Sequence, residues 1–252
     1  MFTPRRKLLH HGTWVPFGAS EMLMRAVAAG RADGAVLACD GIGTLVCHRP
    51  ELIQGVGARM NGLFYTTPYE ALVSRALGLG ALIPAAGPGA LDPLAGLKAA
   101  ASAGMKSVGV TVAGPQAMLA GRIRRAAVLL GVEAVVMSVC NSGLSQGESM
   151  AAAEADILWG CAGDRALMDA LEGRVLLQLG LKSPVFALTP AGVGLALSST
   201  AGGAAPRADG GSLMGTDSEL PEGAFAGTVG PVRVRLAEGV ELPRSNGGTC
   251  AR

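Results

Sequence analysis

The sequence predicts an α/β fold, a mostly parallel sheet covered by helices in a doubly wound, Rossmann-like arrangement. Three observations predict it. Short apolar, β-branched runs recur from about residue 18 to 195, longer segments of helical period separate them, and capping residues stand at the starts of several of those segments. At 252 residues, 50% hydrophobic and 16% charged, the chain can bury a sizeable core.

The elements follow in order. Ser20 can cap SEMLMRAVAA, which Gly30 closes, and the first strand is expected at 34–38 (GAVLA). Thr67-Pro68 opens YEALVSRALG, a strand is expected at 81–84 (ALIP), and Asp92-Pro93 opens the helix that ends before Gly104. Strands at 107–112 (SVGVTV) and 133–139 (EAVVMSV) flank a helix bearing Arg122, Arg124 and Arg125, a cluster that suits a solvated face. Ser145 and Glu148 have capping-box spacing, and a strand follows at 155–159 (ADILW). Asp164 can cap RALMDALEGRVLLQLG, whose Leu167, Ala170, Leu171 and Val175 form one apolar stripe, and the last strand is expected at 184–188 (PVFAL). Residues 1–197 therefore read as one α/β domain. Residues 198–252 read as a flexible glycine- and alanine-rich, low-complexity tail, with a small hairpin in VRVRLAEGVEL (232–242) turning at Glu238-Gly239.

Composition excludes several classes of function. A net charge of +2, from 21 basic and 19 acidic residues, gives no electrostatic reason to expect nucleic acid or an anionic membrane as partner. The long uncharged stretch at 76–91 is broken by Gly80, Pro84, Gly87, Pro88 and Gly89, and falls short of the roughly 20 apolar residues of a membrane span. The N-terminus has no apolar run of signal-peptide length, so a cytoplasmic protein is expected. Five cysteines at irregular separations do not form a disulfide framework and fit a reducing compartment.

In open α/β sheets, ligands bind beyond the carboxyl ends of the strands. Residue 39 stands at such an end, so CDGIG (39–43) reads as a βα loop in which Gly41 and Gly43 allow a sharp turn or close approach to a ligand. The common motifs are absent: no complete G-x-G-x-x-G, phosphate-binding G-x-x-x-x-G-K-[ST], H-E-x-x-H, C-x-x-C or G-x-S-x-G occurs. What remains is a spatial pattern in which Cys39, Cys140 and Cys161 each stand at or just past the end of an expected strand. Three thiolates converging there could hold a [4Fe–4S] cluster with one iron open to substrate, whereas each cysteine alone could serve as small apolar filler. Cys47 and Cys250 fit that pattern less well.

Other polar candidates lie nearby. Asp40 is a candidate acid or base, or a turn residue before Gly41, and Glu21 is a proton carrier facing the crevice or a complement to a helix dipole. Arg59 and Asn61 could grip an anionic substrate or form a structural pair. Thr66 and Thr67 could bind phosphate or cap a helix, and His48 is a ligand or a surface histidine.

Taken together, MFTPRRKL, FGASEM, CDGIGTLV, PELIQGVGARMNGL, the TTP that follows and PVFALT, in that order over residues 1 to about 190, resemble the methanogenesis marker protein 8 family. The resemblance implies a cytoplasmic protein linked to anaerobic one-carbon, cofactor or metallocentre metabolism, and names no substrate. This chain is expected to start inside the family's usual length, and its tail is less regular. CNSG at 140–143 stands where archaeal members carry a histidine with threonines, an exchange compatible with metal ligation.

Three functions are expected to compete. The first is an iron–sulfur enzyme of lyase, dehydratase or sulfur-transfer type, with Cys39, Cys140 and Cys161 as ligands, Asp40 and Glu21 as proton carriers and Arg59 on an anionic group. The second is a metal-free enzyme or binding domain that takes a phosphorylated or carboxylated small molecule through Arg59, Asn61 and Thr67. The third is a non-catalytic assembly factor that docks onto a larger metalloenzyme. An apolar composition with few aromatics also suits a homo-oligomer.

Overall fold

The computed structural model describes residues 5–15, 17–57, 65–160, 164–180 and 184–198, and the backbone of three short strands beyond them. The strands are β1 (Gly34–Cys39), β2 (Gly43–Cys47), β3 (Ser107–Ala113), β4 (Glu133–Val139), β5 (Ile157–Trp159), β6 (Leu177–Leu179) and β7 (Val185–Ala187). The helices are α1 (Ala19–Ala28), α2 (Pro50–Gly57), α3 (Glu70–Gly78), α4 (Pro93–Ser102), α5 (Leu119–Leu130), α6 (Gln146–Ala152), α7 (Arg165–Leu171) and α8 (Pro190–Ser198). The C-terminal strands are β8 (Arg207–Ala208), β9 (Phe225–Val229) and β10 (Val232–Leu236).

All belong to one mixed sheet of order β2-β1-β3-β4-β5-β7-β6-β10-β9-β8. The centre, β1-β3-β4-β5, is parallel, and the outer pairings are antiparallel. This is the α/β class that the alternating strand and helix signals predict. Side chains alternate across the strands and so separate two cores. Ala35, Leu37 and Cys39 join Met22, Leu23, Leu52, Ile53 and Val193 from α1, α2 and α8. Val36, Val108, Val110, Val112 and Val136 point to the other face, against Leu97, Ile123 and Ala127 of α4 and α5. At Gly109 of β3, an added Cβ would overlap the Leu23 side chain, so α1 lies close on the sheet because a glycine stands there.

Local signals set several helix starts. Asp92 accepts a hydrogen bond from Ala95 N at 2.9 Å, Asp164 accepts from Leu167 N at 3.2 Å, and Ser145 and Glu148 form a reciprocal capping box. Arg122 and Arg125 lie exposed on α5, as a solvated basic face requires, whereas Arg124 reaches back to pair with buried Asp156 at 3.1 Å and to donate to Glu154 O at 2.7 Å. α1 differs: Gly18 is its N-cap, and Ser20 is buried within the first turn.

Three expectations are corrected. CDGIG is a hairpin turn rather than a βα loop: Ile42 N donates to Cys39 O at 3.0 Å, Cys39 pairs with Gly43, and GTLVC returns as antiparallel β2. Gly41 takes φ +78° at the third turn position, where a side chain would be strained. ALIP (81–84) makes only one isolated bridge, Leu82 to Val46, because Pro84 has no N–H with which to extend a ladder. The helix opened by Asp164 stops at Leu171, and after Gly173 (φ +68°) the leucines 177 and 179 form β6. The terminal hairpin pairs β9 with β10, which also joins β6, whereas Glu238-Gly239 lies outside the described residues. Among the described residues, no helix is long and apolar enough to cross a membrane.

Candidate functional site

The hairpin turn at the carboxyl end of β1 gathers polar groups from distant parts of the chain. The Thr66 hydroxyl donates to Asp40 Oδ1 at 2.6 Å and accepts from Gly41 N at 2.8 Å, while Tyr69 N donates to Gly41 O at 2.7 Å. The carboxylate is thereby held in one orientation, with no hydrogen bond to Oδ2 among the described residues. From the other side, the Arg6 guanidinium donates to Asp40 O at 3.4 Å and to Gly55 O and Val56 O at 3.3 and 3.0 Å. A cation on the last carbonyls of α2 also complements that helix's dipole.

Cys39 precedes this turn on its buried side. Its thiol donates weakly to Asp40 O at 3.6 Å. Burial pushes the thiol up to about 11, with nearby Arg6 opposing that shift, so Cys39 is a neutral thiol at neutral pH. Burial also raises the Cys47 thiol, which faces the same core.

A second polar group stands at the start of α1. Glu21 is 2% exposed; its Oε1 accepts from Trp14 N at 3.1 Å and Gln54 Nε2 at 2.9 Å, and its Oε2 accepts from Ser20 Oγ at 3.0 Å. A Cβ at Gly18 would overlap this carboxylate, so the glycine N-cap lets Glu21 curl back over the helix end. Gln54, 0% exposed, also donates to Gly12 O at 3.0 Å, while its Oε1 has no partner among the described residues. A buried acceptor without a donor is uncommon.

The third group lies at the end of β4. Cys140 is exposed and has φ +57°, the one positive value outside glycine among the described residues. Buried Asn141 fixes that turn: its Nδ2 donates to Ser138 O at 2.9 Å and to Trp159 O at 2.8 Å, and its Oδ1 accepts from Ser138 Oγ at 2.7 Å. Trp159 Nε1 in turn donates to Phe17 O at 2.8 Å, which ties the end of β5 to the loop before α1.

Of the expected site residues, the fold brings Asp40, Gly41 and Thr66 together and places Cys39 directly beside them. Gly43 (φ +99°) packs on backbone, where an added Cβ would meet Ala90 O at 2.7 Å. Thr67 and His48 are exposed. Glu21 sits in its own buried network. Cys140 ends β4, and β3 separates that strand from β1, so the two strands lie roughly 10 Å apart. Arg59, Asn61 and Cys161 lie outside the described residues. As to an iron–sulfur cluster, the described residues hold two of the three expected ligands, buried Cys39 and exposed Cys140. No group of three or more His, Cys, Asp or Glu side chains that could hold a metal ion occurs among the described residues. The described part of that ligand set therefore does not fit a cluster by itself. Arg6, Gln54 and Asn141 escaped the sequence reading; the polar residues directly after a strand in CNSG were the available signal for Asn141.

Fold and site together define an α/β protein with a polar turn at the carboxyl edge of a parallel sheet, the usual position for a ligand in such folds. The chain belongs to a family of uncharacterized proteins conserved in archaea (DUF2099), which matches residues 1–200. It is similar to an uncharacterized protein of Methanocaldococcus jannaschii, 28% identical over 194 residues. That match covers 76% of this chain and 66% of the relative, so the chain spans just under two thirds of the relative's length. No solved structure matches the chain.

Proposed function

We propose that the chain is a cytoplasmic protein of the methanogenesis marker protein 8 type that takes a carboxylated or phosphorylated metabolite at the β1–β2 turn. Asp40 is the proton-handling carboxylate, and Arg59 and Asn61 hold the anionic group. The observation that carries this reading is the Arg6–Asp40–Thr66 cluster. Of the described residues, Val56 O accepts from Arg6, which also bonds Asp40 O, and Thr66 bonds the Asp40 carboxylate; Arg59 and Asn61 fall between these two positions in the sequence. A carboxylate oriented in advance by a fixed hydroxyl suits general acid–base chemistry or recognition of a ligand donor group. The five segments contributing Arg6, Glu21, Asp40, Gln54 and Thr66 are five of the six on which the resemblance to the marker family rests.

The test is thermal stabilisation of the full chain across a panel of carboxylated and phosphorylated metabolites. A hit lost in both Arg59→Ala and Asp40→Asn is the expected result. A panel without a hit, or a hit that survives both substitutions, would reject the reading.

An iron–sulfur enzyme of lyase, dehydratase or sulfur-transfer type is the second reading, favoured by Cys39 and Cys140 ending parallel strands at one edge of the sheet. Purification without oxygen tests it. Stoichiometric iron and acid-labile sulfide, lost in Cys39→Ala, Cys140→Ala or Cys161→Ala, would support a cluster.

A further inference from the structure

The outer face of α5 is unusually apolar for a surface helix. Its inner side, with Ala120, Ile123 and Ala127, is buried against the sheet. On the opposite side Met118, Arg122, Arg125 and Leu129 follow at spacings of four, three and four residues, which aligns them in one stripe. Met118 is 69% exposed, Val128 78% and Leu129 88%, and with exposed Leu130 the helix ends in three consecutive apolar residues open to solvent. A run of that kind marks a binding face.

The charges of α5 also run against its own dipole. The helix has no acid in its first turn and no base in its last, while Arg122 stands near the amino end, where a cation is disfavoured. At the carboxyl end, the amides of Gly131 and Val132 bond Val128 O and Ala127 O, and Leu129 O and Leu130 O accept no hydrogen bond among the described residues. Arg124 is committed to Asp156, whereas Arg122 makes no ion pair or hydrogen bond among the described residues.

We propose that two copies of this chain pair through α5, antiparallel about a two-fold axis near residue 127. Leu129 of each copy then packs on the Arg125 stem of the other, and Arg122 reaches the unbonded carbonyls at the other copy's carboxyl end. The cation that opposes its own helix dipole thereby complements its neighbour's. Arg125 suits this packing because its guanidinium stands over Gly121 beside the Glu154 carboxylate, one turn away from the axis. The four exposed apolar side chains offer on the order of 500 Å² per copy, and the arginine stems bring the patch toward the roughly 800 Å² per partner of a standard interface.

Sedimentation equilibrium of the full chain from about 1 to 100 μM tests the proposal, and a reversible monomer–dimer equilibrium within that range is expected. Leu129→Glu should weaken it by about tenfold or more, and Arg122→Glu by a similar factor, while Leu77→Glu, at an exposed leucine of α3, should leave it unchanged. All three positions face solvent, so dilute samples of each variant should keep the parent's circular dichroism. A monomer at every concentration would overturn the proposal, as would a dimer that Leu129→Glu or Arg122→Glu leaves equally tight, or one that Leu77→Glu weakens as much. Binding to anionic vesicles without a dimer, lost in Leu129→Glu, would also overturn it by assigning the face to a lipid surface.

Discussion

Replacing Glu21 by alanine should destabilise the protein by about 2–4 kcal/mol, because its carboxylate is a buried acceptor for three donors. Hydrogen bonds to a charged group contribute roughly 1.5–3 kcal/mol each, but the three are not equally exposed to loss. Trp14 is exposed, so its amide can turn to water, and Gln54 Nε2 keeps its bond to Gly12 O. Ser20, 1% exposed, is the donor left stranded. Removing a desolvated charge returns part of the loss, which keeps the total below the simple sum. Urea unfolding with an unchanged m-value is the assay, and a fall in melting temperature of about 4–16 °C should accompany it. Glu21→Gln should lose about 1 kcal/mol, since the amide oxygen can face Gln54 and Trp14 while its nitrogen donates to the Ser20 hydroxyl. Asp40→Asn should stay within about 1 kcal/mol, because Thr66 can still donate to the amide oxygen. A loss below about 1 kcal/mol for Glu21→Ala, or equal losses for the alanine and glutamine variants, would refute the hydrogen-bond accounting.

Gly109→Ala should cost about 1–3 kcal/mol in the same assay, because its methyl enters the space of the Leu23 side chain; a neutral result would mean that α1 can lift off β3 freely. The amides of Lys106 and Ser107 hold the Asp33 carboxyl below its usual value, so its folded pKa lies under the unfolded one. Its contribution is complete above the unfolded value of about 3.9 and is lost as pH falls through the folded value. Asp33→Asn should therefore be less stable near neutrality and show a flatter fall of stability below about pH 4, and a slope identical to the parent's would contradict those two bonds. In native protein treated with iodoacetamide, peptide mass mapping should find Cys140 alkylated before Cys39 and Cys47, whose buried thiols should react only once denaturant opens the core. Alkylation of Cys39 as fast as Cys140 would be inconsistent with its burial.

Elements whose signals lie within a few residues were readable along the chain. Asp92, Asp164 and the Ser145–Glu148 box act on amides at most three positions away, and β1, β3 and β4 are apolar runs that belong in the centre of a parallel sheet. The misreadings arose where a local pattern fits two partners. GTLVC is as compatible with a loop before a helix as with an edge strand; the pairing of Cys47 with Ala35 decides it. Leu177 and Leu179 continue a helical stripe on paper, but a left-handed Gly173 ends the helix, and Val185 and Ala187 supply ladder partners.

The candidate site divides in the same way. Composition and position mark residues 39–43 as a turn at the end of a buried strand, because glycine and aspartate after an apolar run are a local fact. That Thr66 orients Asp40, that Arg6 bridges the turn to α2, and that Glu21 bonds Gln54 rather than open solvent are contacts between residues 26 to 50 positions apart. Sequence by itself determined the α/β class, most of the central strands and the capped helix starts, since propensity, period and caps act over one or two helical turns. Tertiary structure alone decided the hairpin, the strand order and the partner of each polar side chain, because those depend on which distant segments exclude water together.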